Sequence, residues 1–286
     1  LEDTVGQHLP ALEGTPVGQL AVESLLRHTS GLPPRMPVPV GAGREEVLAS
    51  LRATVLEPGE AGEARPSGTN FLVLGLVLES LSGEPVQLAA RRVVFDPAGM
   101  VNTTATLPVG WRERVAPGAF SEWHGRLAWG EAEDPAAFAL GVSAGNGGVT
   151  STADDLGLFL GVMAVAANTG IPGGISKETM GKSIAAAAGD GSTRRSEVGL
   201  GWMLNGFGQG SFGWDAPDGS SFWMHPQSGM YVVLLVNGSH PSAGKLRTVD
   251  KLRRHVILSL GRNVPAPRPQ ASVPRAIERW PGEIPL

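Results

Sequence analysis

The sequence has no cysteine, one tyrosine (Tyr231), four lysines (Lys177, Lys182, Lys245, Lys251) and no apolar run near the roughly 18 residues of a membrane span. Without cysteine there can be no disulfide, no thiol nucleophile and no zinc–thiolate centre, although compartment stays open. With so few lysines, scattered arginines and a net charge of −4, no basic stripe exists for nucleic acid. A signal-peptide pattern is also missing, and the chain opens at Leu1 rather than methionine. What is abundant is glycine and proline, 40 and 23 residues, which predicts a loop-rich fold with many tight turns. At 286 residues and 42% hydrophobic, the chain can build one large domain or two lobes.

Helical spacing dominates the first two thirds. Leu20, Leu25 and Leu26 share a short face, and Val47, Leu48, Leu51 and Val55 share another. From Phe71 to Leu78 every residue is apolar or glycine, which predicts a helix buried on all sides. Directly before it stands a small polar loop, Pro66-Ser67-Gly68-Thr69-Asn70, and such supported loops often carry chemistry. A second helix is expected over "VQLAARRVVF", then an irregular stretch from 101 to 140 packed by Trp111, Trp123 and Trp129. Ser151 is expected to cap a helix with Leu156, Phe159, Leu160 and Met163 in one stripe.

From about residue 197 short β-rich segments alternate with turns, which reads as an antiparallel meander. In its last strand Val232 to Val236 are all aliphatic, which predicts burial on both faces. A closing helix with Leu246, Val249, Leu252, Val256 and Leu260 in a stripe follows, and then a proline-rich tail. Helices first and strands last indicate an α+β fold.

Four short patterns carry candidate chemistry. Gly141-Val142-Ser143-Ala144-Gly145 matches the nucleophile elbow, but that motif needs a strand-to-helix turn in a parallel sheet, and no βαβ alternation surrounds it. Ser242-Ala243-Gly244-Lys245 matches S-x-x-K, in which a lysine one helical turn on takes the serine proton; its place favours an ordinary helix start. Gly206-Phe207-Gly208-Gln209-Gly210 misses the dinucleotide fingerprint by one position and reads as a turn. The six histidines (His8, His28, His124, His225, His240, His255) show no ligand spacing and take surface or structural roles, so neither metal nor cofactor is expected.

Longer stretches are more specific. "LEDTVGQHLP", "LLRHTSGLP", "TNFLVLGLVLESLSG", "FDPAGM", "SAGNGGVTSTADDLGLF" and "VGLGW" resemble, in this order, the serine β-lactamase-like family of class C β-lactamases, DD-peptidases and related esterases. The resemblance covers about residues 1 to 260. It implies an α+β, two-lobed fold in which an antiparallel sheet flanked by helices carries an inserted, mostly helical lobe. The expected boundaries are 1–262 for the domain, with the helical lobe at about 34–195 and the sheet lobe at about 196–262 plus the N-terminal segment; 263–286 is a tail or linker.

The resemblance also implies three catalytic motifs, and each departs here. The S-x-x-K nucleophile belongs upstream of the segment resembled by Leu1 to Pro10, so no catalytic residue is expected in this chain. The Tyr-x-Asn loop falls on Pro66-Ser67-Gly68, where proline has no hydroxyl and glycine no amide. A one-residue slip would offer Ser67 and Thr69, and Asn70 stands in the same loop. The Lys-Thr-Gly strand falls on Trp214-Asp215-Ala216, where Trp214 is expected to fill the groove and Asp215 to repel a substrate carboxylate.

The expected function is therefore a family member degenerate at its active site, a binding or structural module of the bacterial cell envelope, exported or periplasmic. Its expected partners are a peptidoglycan-like or small acyl ligand, and an upstream segment of the same polypeptide or another subunit to complete the sheet and supply the missing nucleophile helix. The competing reading is an active serine hydrolase whose nucleophile lies upstream.

Overall fold

The structure, a computed structural model, describes residues 1–57, 59, 63–121, 125–141, 144–186, 198–240 and 246–265. It opens with α1 (Val5–His8), α2 (Val22–Leu26) and α3 (Arg44–Arg52), then the long α4 (Gly68–Ser82). After Gly83, in the left-handed conformation, come α5 (Val86–Ala90), a π-helical turn over Arg91–Phe95 and α6 (Asp96–Ala98). The stretch expected to be irregular holds a small hairpin, β1 (Phe120–Ser121) with β2 (Arg126–Leu127), and α7 (Pro135–Ala139). Next are α8 (Ala153–Thr169) and α9 (Lys177–Ser183). The chain then forms β3 (Met203–Leu204), β4 (Phe212–Asp215), β5 (Ser221–His225) and β6 (Met230–Leu234), and closes with α10 (Leu246–Gly261).

The last four strands pair in sequence order as an antiparallel meander, with Gly213 opposite Trp223 and Trp223 opposite Val232. Strand alternation sends side chains to two faces. Phe212 and Met224 pack with Leu160 and Met163 of α8, while Trp223 packs on the other face with Ile257 of α10. The sheet thus lies between helices, the α+β arrangement expected from the sequence.

The second large core gathers Val5, Leu12, Leu25 and Leu51 around Leu72, Val73 and Leu76 of α4. The N-terminal segment shares this core with α4. Glycine permits a close approach here: a Cβ on Gly75 would come within 2.6 Å of the Ala144 carbonyl, so the 144–145 backbone lies directly on the helix.

Several local expectations shift. α4 is not buried all round, because Leu78 and Leu81 are 49% and 47% exposed. A helix apolar on every side cannot tell which of its faces has a neighbour. The cap of α8 is Thr152, whose hydroxyl accepts from the Asp155 N–H at 3.2 Å, whereas Ser151 bonds Thr103. Buried Asp155 also accepts from the Asn102 N–H and the Thr103 hydroxyl, which anchors the loop before the hairpin.

On α10 the buried face runs through Arg253 and Ile257, one step round from the expected stripe, and Leu252 is exposed. β6 is an edge strand among the described residues, and Leu235 just beyond it is 48% exposed, contrary to burial on both faces over Val232 to Val236.

Candidate functional site

The first turn of α4 is sewn to the 28–34 strap. Ser67 takes the N-cap position in extended conformation, but its hydroxyl does not cap the helix; it donates to the Pro33 carbonyl at 2.6 Å. The Gly68 N–H donates to the Pro34 carbonyl at 3.0 Å, and the Arg65 N–H to the His28 carbonyl at 2.8 Å. These bonds fix the loop that the sequence singled out, leaving Pro66 exposed and Ser67 and Asn70 buried.

His28 is the hub. Its Nδ1 accepts from the Ser67 N–H at 3.1 Å and lies 3.0 Å from the Asn70 Nδ2. Two N–H groups aimed at one nitrogen leave that nitrogen unprotonated, so the proton of the neutral ring sits on Nε2. Nε2 is buried and has no partner among the described residues. Burial accordingly pushes the His28 pKa down to about 4. Its backbone is left-handed (φ 57°), which tips the ring between Phe71 of α4 and Trp214 of β4, at centroid distances of 5.3 and 5.4 Å. Asn70 is fully spent here, since its carbonyl oxygen accepts from the Ser30 hydroxyl.

The structure therefore brings Pro66, Ser67, Gly68 and Trp214 together at one junction between the helical layer and the sheet, through His28. It does not bring Asn70 or Asp215 to an open cleft. Asn70 points into the strap. Asp215 follows Trp214 on a strand and faces the other way: its Oδ1 accepts from the Trp223 Nε1 at 3.0 Å and from the Ser221 hydroxyl. Its second oxygen lies 3.8 Å from Arg253 of α10, which also donates to the Ala216 carbonyl at 2.8 Å and pairs with Asp250. The carboxylate expected to repel a substrate instead holds α10 onto the sheet, and Ala216 belongs to that contact.

The other candidates do not join the site. Val142 and Ser143, and the whole of Ser242 to Lys245, lie outside the described residues. Among the described residues both sheets are antiparallel, so the setting that a nucleophile elbow requires is not met around Gly141. His8 pairs with Asp3, and His225 with the Ser228 hydroxyl. Reading His28 as structural was right as chemistry but missed its position. The available signal was "LLRHTSGLP", a strap that ends in Gly-Leu-Pro and must return along the polar loop. Asn146 was also missed; its amide group lies beside Gly68, with Oδ1 buried and without a partner among the described residues.

Comparison with known proteins gives the family and the fold. The family model named Beta-lactamase covers residues 1–254. The "Putative D-alanyl-D-alanine carboxypeptidase" of Escherichia coli (strain K12) is 23% identical over 281 residues, which cover 84% of this chain. This chain spans 63% of that relative's length. Among solved structures, EstCE1, a hydrolase with promiscuous acyltransferase activity, superposes with TM-score 0.65 at 23% identity, over 90% of this chain and 78% of that one. A class C β-lactamase from Rhodobacter sphaeroides superposes at 0.61 and 18% identity, over 90% and 77%. These structural likenesses establish the fold, and with the family match over residues 1–254 the conclusion is direct: this chain belongs to the β-lactamase family.

Proposed function

We propose that this chain is a β-lactamase-family domain whose cleft performs no acyl transfer and which serves as a binding or structural module in the bacterial cell envelope. One observation carries the reading. The loop serine, Ser67, is buried and donates its hydroxyl proton to the Pro33 carbonyl, and among the described residues no base is positioned to take it. An attacking serine needs such a base within hydrogen-bond reach. The near imidazole nitrogen is occupied by the Ser67 amide, and Lys177, Lys182 and Lys251 are exposed on α9 and α10. Pro66 and Gly68 have no side-chain group to shuttle a proton or hold a substrate amide, and the family resemblance gives Trp214 the position of the Lys or His that opens the third motif.

The relatives' names point to ligands of acyl-D-alanyl-D-alanine or small acyl type, held without turnover. Among the described residues the stripe of Leu78 and Leu81 on α4 and the edge of β6 are left open, and these are surfaces for an upstream segment of the same polypeptide, or another subunit, to cover.

A second reading rests on the share of the relatives' length that this chain leaves unmatched: an active serine hydrolase whose nucleophile is carried on another segment. Covalent probes separate the two. The natural full-length protein, treated with fluorescent penicillin and with a fluorophosphonate, is expected to remain unlabelled. Stoichiometric labelling of one serine, lost on its change to alanine, would overturn the proposal, and the position of that serine would name the nucleophile.

A further inference from the structure

A concavity of about 390 Å³ opens between the 106–112 and 129–132 segments, with α7 behind it. Its volume suits a small molecule. Leu107, Val109 and Phe138 supply apolar wall, and two charged side chains reach the lining, Arg112 and Glu131. Glu131 is already engaged: Arg126 grips both of its oxygens, at 2.7 and 2.9 Å. Arg112 has no carboxylate partner among the described residues. Its guanidinium carbon instead lies over the Trp129 ring, 4.9 Å from the centroid. That ring is itself fixed, since its Nε1 donates to the Val115 carbonyl at 2.7 Å. The concavity thus presents a cation set against an aromatic ring, with no carboxylate partner among the described residues, beside apolar walls. A planar guanidinium held this way fits a carboxylate in two-pronged geometry.

We infer that this pocket binds a small monocarboxylate with an aromatic or otherwise apolar body, the carboxylate on Arg112 and the body against Leu107 and Phe138. The inference stands apart from the reading of the Ser67 cleft and does not depend on it.

Hippurate (N-benzoylglycine) and its neutral amide form a matched pair of probes for titration calorimetry on the full chain. Hippurate is expected to bind saturably and its amide at least about tenfold more weakly, since only the ion gains the charge-assisted pair. Arg112→Gln should weaken hippurate by a similar factor. Arg114→Gln should not, because Arg114 stacks on Trp111 and bonds Asn102, outside the pocket. Both arginines are exposed, so both variants should melt like the parent. Absence of saturable binding, equal affinity for the amide, an unchanged Arg112→Gln, or an equal loss in Arg114→Gln would each overturn the inference.

Discussion

Leu76→Asp is expected to abolish cooperative folding, whereas Leu78→Asp, two residues along the same helix, should melt within a few degrees of the parent. Leu76 is 1% exposed and sits in the core with Leu72, Val73 and the N-terminal helices, while Leu78 is half exposed. A carboxylate at position 76 would be buried without any cation in that cluster, at a cost of several kcal/mol. Domains of this kind are stable by only about 5–15 kcal/mol, so most of that margin would go. At position 78 the carboxylate stays in water and replaces an apolar surface group, an effect of about 0.5 kcal/mol either way. Thermal melts followed by circular dichroism decide it. If the two variants behave alike, the face assigned to the core is wrong, and with it the placement of the loop that α4 carries.

Acid should weaken the fold through His28. With its folded pKa near 4 and an ordinary value near 6.5, the unfolded chain takes up a proton that the folded one refuses. Stability is therefore intact above about pH 6.5, falls as pH drops from there towards 4, and levels off for this group below 4. The full span of about 2.5 pKa units corresponds to roughly 3 kcal/mol. Protonation would place a donor on Nδ1 against the Ser67 and Asn70 N–H groups, so the loss should appear first where α4 meets the strap. Denaturant melts at pH 7 and pH 4.5 measure it, with His28→Gln as control. The variant is less stable at pH 7 but should lose the His28 share of the slope. An unchanged slope would mean that His28 is already charged or is not buried.

The antiparallel meander was legible because its strands are short, β-branched or aromatic, and separated by turns such as Pro226-Gln227-Ser228-Gly229; all four pair in sequence order. α4 was legible as a helix but not in its orientation, since a near-uniform apolar sequence carries no information on which face is covered. α9 went unread because its seven residues hold a single core side chain, Met180, although Ser176 caps it as a Ser should.

At the site, the loop and Trp214 were found together only through family resemblance; 144 residues of sequence separate Asn70 from Trp214, and no local pattern spans that. Asp215 was misplaced for a reason the sequence did contain: on a strand, neighbours face opposite ways, so Trp214 and Asp215 could not both line one groove. His28 acquires its role from a left-handed backbone and from two elements that arrive later in the chain, neither of which its own neighbours encode.

The central claim is that the family's cleft is kept here without its chemistry. Release of D-alanine from an acyl-D-alanyl-D-alanine peptide, measured with the natural full-length protein beside Ser67→Ala and a protein-free blank, tests it most directly. The account predicts that all three traces coincide over hours at micromolar protein, even if the peptide binds. Release above the blank by the natural protein, whether or not Ser67→Ala removes it, would contradict the account.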